Sequence, residues 1–207
     1  MANGYVFDVF LSYKRNLPVE PWVRQFFLPN LRSWLKEEIG GYSPKIFFDQ
    51  ESIDWGERWR DGLEDGLRTS KILLAVCSPS YFRSPWCSLE WETFALREKA
   101  AGSNRLRIPI THNDGQHFPQ DARDLQAMSF SDCVSVMPIF PHHPMALKLE
   151  EKIRALVPSI ARALKDVPEF QDSWPIAKSA RHIQIIKGES VIEPDDISNV
   201  SSPLQTL

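Results

Sequence analysis

A chain of 207 residues, 43% hydrophobic and 25% charged, can bury the core of one ordinary domain and still carry an extension. Its net charge of −3, interspersed along the chain, argues against the basic surface that phosphate-neutralising nucleic-acid binders need. No leader of basic, apolar and small residues opens it, and no apolar run approaches the roughly 18–20 residues that span a bilayer, so a cytoplasmic protein without a membrane partner is expected.

Val6-Phe7-Asp8-Val9-Phe10-Leu11-Ser12-Tyr13 is a β-branched and aromatic run with few breaks, the pattern of a strand buried on both faces. Over residues 21–39, Trp22, Phe26, Phe27, Leu31, Trp34, Leu35 and Ile39 fall at helical spacing, and Gly40-Gly41 stops the helix. Pro29 within it predicts a kink or two helical pieces. Lys45-Ile46-Phe47-Phe48-Asp49 is a second short strand, and a polar stretch from Gln50 to Gly56 follows. A helix over about 57–69 then places Trp59, Leu63 and Leu67 on one face.

Ile72-Leu73-Leu74-Ala75-Val76-Cys77 is uninterrupted and apolar, the best central strand in the chain. Ser84-Pro85 opens a helix over about 85–100, with serine as N-cap and proline in the first turn, where no N–H is needed. Leu106-Arg107-Ile108-Pro109-Ile110 is a fourth strand, and Pro109 predicts an edge position for it. Met128-Ser129-Phe130 is a weak fifth strand. An amphipathic helix closes the pattern over about 145–165.

Strands alternating with helices imply right-handed βαβ units. The expected fold is a flavodoxin-like three-layer α/β sandwich over residues 4–165, with a central parallel five-stranded sheet. Residues 166–207 are an extension or tail of unknown role, with Ile183–Ile186 as a possible added strand and 193–207 as a tail.

Ligands of such sheets bind at the carboxyl ends of the strands. Ser12-Tyr13-Lys14-Arg15, Asp49–Gly56 and Ser78–Glu90 converge there. No glycine-rich phosphate loop, GxSxG elbow or HExxH is present. Cys77, Cys87 and Cys133 cannot pair completely and follow no metal-ligand spacing, so free thiols and no metal are expected. His142-His143, between prolines, is a solvated turn before it is a metal site. His112 and His117 are a surface loop before they are a pocket rim. Trp86 and Glu90, four apart on a helix, share one face. An indole beside a carboxylate can pack on a flat ligand while the acid contacts a sugar. The same spacing also suits a core tryptophan with a first-turn glutamate favoured by the helix dipole. Glu92 points about 200° away from Glu90.

Phe7–Tyr13, then Phe47-Phe48-Asp49 with its loop to Gly56, then Ser78–Glu92 occur in the order and separation of a TIR (Toll/interleukin-1 receptor) domain, and the chain resembles that family, in its bacterial NAD-cleaving type, over residues 4–165. The resemblance implies that Glu90, which closes an S-x-W-C-x-x-E pattern with Ser84, Trp86 and Cys87, is the catalytic carboxylate. It implies that Trp86 walls the substrate site and that Phe10, Ser12, Tyr13, Lys14, Asp49, Trp55 and Ser84 line it. Lys14 or Arg15 would meet the pyrophosphate, unless they are a solvated strand-end pair. NAD is then substrate, no cofactor or metal is needed, and the products are ADP-ribose or a cyclic isomer. The family further implies self-association with other TIR domains, a role in anti-phage immune signalling, and regulation through a separate sensor or effector protein. Two other readings compete. One is a TIR scaffold that binds without catalysis. The other is a phosphoacceptor receiver domain, disfavoured because Cys77-Ser78 stands where its aspartate belongs.

Overall fold

Five strands carry the architecture: β1 (Phe7–Tyr13), β2 (Ile46–Phe47), β3 (Ser70–Cys77), β4 (Arg107–Thr111) and β5 (Met128–Ser129). They lie in the order β2-β1-β3-β4-β5, and every pairing is parallel. The structure is a computed structural model and describes residues 4–48, 57–103, 105–113 and 118–178. β3 sits at the centre with Ile72 to Cys77 wholly buried, as its unbroken apolar run requires. The expected parallel α/β sheet is therefore present.

The helices are α1 (Val19–Trp22), α2 (Leu28–Glu38), α3 (Glu57–Thr69), α4 (Pro85–Ala101), α5 (Gln120–Arg123) and α6 (Pro144–Lys165). From β1 to β2 the chain moves one way across the sheet, and from β2 through β3 to β4 it moves the other way. Right-handed crossovers then put α1 and α2 on one face and α3 and α4 on the other. α6 packs on α2, completing three layers.

Local chemistry explains the details. Pro29 has no N–H for the Gln25 carbonyl and would crowd it in a regular helix. A π-helical turn, Val23–Phe27, widens the chain just before it, so α1 and α2 are the two expected pieces. Gly40 and Gly41 both take φ of +87°, and their N–H groups cap the carbonyls of Glu37 and Lys36. Pro109 corrects an expectation, because β4 is not an edge strand: β5 lies beyond it. The His112 N–H bonds to Cys77 on β3, whereas the Thr111 carbonyl faces Phe130 beyond β5. Pro109 shares the parity of Thr111, so its nitrogen faces the β5 side at a level before β5 begins. No ladder bond is lost there.

The compact unit runs through Ala177, beyond the expected boundary at 165. Tyr5 donates a hydrogen bond to the Pro168 carbonyl at 3.0 Å and meets Phe170 edge-on. The Ala177 N–H reaches Thr93 Oγ1 at 3.1 Å. Asp49, Trp55, the Trp59 side chain, His117 and the expected strand at Ile183–Ile186 lie outside the described residues. Among the described residues, no helix is long and apolar enough to cross a membrane.

Candidate active site

Side chains alternate along β1, so Phe10 and Ser12 face α4 while Tyr13 faces the other layer. At the carboxyl end of the strand, the Ser12 hydroxyl donates to Glu90 Oε2. The same Ser12 oxygen lies 2.8 Å from the Tyr81 hydroxyl. Ser12 and Tyr81 are buried, and Glu90 is only 7% exposed. Three groups from β1, the β3–α4 connection and α4 thus form one hydrogen-bonded chain.

The connection is shaped by serines. Ser78 ends β3 and takes the Tyr81 N–H on its carbonyl at 3.0 Å, with its hydroxyl at 3.2 Å. The Ser84 N–H then bonds to the Tyr81 carbonyl at 3.1 Å. Tyr81 is pinned at both ends of its own peptide and turned inward. Ser84 occupies the N-cap position of α4 in extended conformation, and Pro85 is the first helical residue. The expected serine cap is right in position but not in chemistry, because the Ser84 side chain makes no capping bond. Its hydroxyl faces the Cys87 thiol instead.

Glu90 falls in the second turn of α4, and the first turn holds no acidic residue. The helix-dipole explanation of this glutamate therefore fails, since that attraction fades within one turn. Trp86, one turn earlier on the same face, is half-buried against the core. Glu92 is exposed, as its angle predicts. Burial pushes the Cys87 thiol far above its ordinary range, and the nearby Glu90 carboxylate adds to the shift while Lys14 opposes it. Cys87 is thus no nucleophile at neutral pH, and Lys14 stands close to the first turns of α4. Burial, with Cys87 and Glu90 next, likewise holds the Tyr81 phenol well above its usual value, so it remains a hydrogen-bond donor.

Several expectations are revised. Phe10 does not line an open site: it is 1% exposed, stacked on Phe47 with ring centres 4.9 Å apart and tilted against Phe94 at 6.3 Å. It is a floor beneath Ser12. Tyr13 is buried on the opposite face. Ser12 spends its hydroxyl on Glu90 and Tyr81. Lys14 and Arg15 are partly buried. Asp49 and Trp55 fall outside the described residues, and Tyr81 went unrecognised in the sequence. His112 is not in a surface loop: it is buried, edge-on to Trp22 at 5.3 Å. His143 accepts the Met145 N–H at 3.2 Å and caps α6. Among the described residues, no group of three or more His, Cys, Asp or Glu is placed to hold a metal ion.

Residues 9–135 match the family model described as TIR domain. A search of curated proteins gives no match. Among solved structures, the chain is similar to the TIR domain of the Toll-related receptor TRR-2 from Hydra magnipapillata, with 19% identity, 72% of this chain and 98% of that chain covered, and a TM-score of 0.44. It is also similar to the TIR domains of the activated Roq1 resistosome recognising the pathogen effector XopQ, with 18% identity, 88% and 98% covered, and a TM-score of 0.34.

Proposed function

The chain belongs to the TIR-domain family, and from that premise we propose that it cleaves the nicotinamide–ribose bond of NAD, with Glu90 as the catalytic carboxylate. The observation that carries the reading is a carboxylate held by Ser12 at the carboxyl edge of the sheet, one turn from an indole and nearly removed from water.

The chemistry needs little else. Nicotinamide departs as a neutral molecule from a pyridinium cation, so no general acid is required. The barrier lies in the oxocarbenium-like charge that builds on the ribose, as in glycoside cleavage. A fixed carboxylate beside that sugar stabilises the charge, and more strongly where water is excluded. Trp86 supplies a wall for a flat ring, and Lys14 a positive charge for the pyrophosphate. By the family resemblance, Asp49 and Trp55 would also bind the substrate. Water captures the ADP-ribosyl fragment to give ADP-ribose, or an internal hydroxyl or adenine nitrogen captures it to give a cyclic isomer. Self-association with other TIR domains and a role in anti-phage signalling, under a separate sensor or effector, belong to the same proposal.

Glu90→Gln keeps the shape and can still accept the Ser12 hydrogen bond, but it removes the charge. Nicotinamide release should fall at least about 100- to 1,000-fold with the melting temperature nearly unchanged. Release at the parent rate defeats the assignment. A second reading has one observation in its favour: a buried Glu90 bonded to Ser12 also serves simply to tie α4 to β1, as a binding scaffold would need. NAD consumption by concentrated parent protein separates the two.

A further inference from the structure

We propose that Tyr81 is a positioning residue for Glu90, acting through the Ser12 hydroxyl. The inference rests on Glu90 being the functional carboxylate. Its geometry is already set by hydrogen counting.

Serine has one hydroxyl proton and two acceptor lone pairs, and an ionised carboxylate only accepts. Ser12 donates its proton to Glu90 Oε2, so the contact at 2.8 Å must have Tyr81 as donor. The chain of bonds runs Tyr81 O–H to Ser12 Oγ to Glu90. In that direction each bond polarises the next, which strengthens the hold on the charged carboxylate. Protonating Glu90 would remove this reason for the direction, so the chain favours the ionised acid. Its three members come from three elements, and Tyr81 is clamped by Ser78 and Ser84 through its own backbone. The phenol is therefore preset before any ligand arrives. Tyr81 in the connection and Cys87 on α4 both interact electrostatically with Glu90, Cys77 at the end of β3 acts on Tyr81, and Lys14 after β1 acts on Cys87; all but the substituted phenol are common to parent and variants.

The test compares Tyr81→Phe, Ser12→Ala and the double variant in the full chain. Glu90 is followed by its side-chain carboxyl carbon signal in NMR, identified by its loss in Glu90→Gln. Tyr81→Phe should raise the pH midpoint of that titration. In the Ser12→Ala background, Tyr81→Phe should add no further shift, because the link is already cut. Where Tyr81→Phe does not fold, Ser12→Ala carries the comparison by a raised midpoint of its own. For NAD cleavage, Tyr81→Phe should lower kcat about 10- to 100-fold, move the acid limb of the pH profile upward and leave KM within about twofold, since the phenol acts on the acid and not on ground-state binding. An unchanged midpoint, or equal shifts in both backgrounds, overturns the relay. If the parent itself leaves NAD intact, the enzymatic reading fails and the midpoints still decide the positioning role.

Discussion

His112 sits beneath Trp22 as a buried ring, 4% exposed, with Nδ1 at 3.1 Å from the Asn113 side-chain oxygen. Burial lowers its pKa from 6.5, and the Asn113 bond only partly opposes this. The unfolded chain therefore takes up its proton at a higher pH than the folded one. Stability from the neutral ring is complete above about pH 6.5 and is lost as the pH falls from there toward the depressed folded value. A parent protein should accordingly lose melting temperature between pH 7 and pH 5 more steeply than His112→Asn, and parallel slopes in the two proteins would remove the effect. That Glu90 shares a helix face with Trp86 is legible in the sequence from their spacing alone. His112 and Tyr81 are not legible in this way. Their environments are made by Trp22 and Ser12, and the Tyr81 partner lies 69 residues away, where no local spacing can announce it.

At the scale of the element, the sheet and its helices were readable from apolar runs and from glycine and proline punctuation, and the errors are equally instructive. Pro109 was misplaced at an edge because a strand's neighbours, and how far each extends, are not local properties. α4 buries Cys87, Leu89, Glu90, Trp91, Thr93, Phe94, Arg97 and Glu98, more than a single stripe could hold, because it is covered by the sheet on one side and by residues 174–177 on another. α3 shows a tighter constraint. A Cβ added at Gly66 would stand 2.6 Å from the Phe47 ring, and that ring is itself stacked on Phe10 and met edge-on by Phe7. The aromatic cluster has no free direction in which to yield. Gly66→Ala, which would favour an exposed helix, should instead destabilise the protein by about 1–3 kcal/mol. Chemical denaturation measures this directly, and an alanine variant as stable as the parent would show that α3 can slide away from β2.

For the whole compact unit, the decisive feature is a C-terminal strap that the expected domain boundary at 165 left out. Arg97 on α4 is fully buried, donating to the carbonyls of Ser70 at 2.8 Å and Leu67 at 2.7 Å. Burial pulls its pKa down to about 10, so it remains a cation at neutral pH. Phe94 lies under the guanidinium at 4.6 Å, and Trp174 lies on it at 5.5 Å. The strap therefore shields a buried charge on the helix that also carries Glu90, and Ala177 hydrogen-bonds to Thr93, which lies between the two. Trp174 is 4% exposed, and its removal opens a cavity beside a buried cation whose Nε already has no hydrogen-bond partner among the described residues. Trp174→Ala should destabilise the fold by about 3–5 kcal/mol, well above the effect of a surface change. Hydrogen exchange should then rise first in the second half of α4 and in β3 near Ser70. If exchange instead rises only within 166–177, the strap is a passive cover and α4 stands without it.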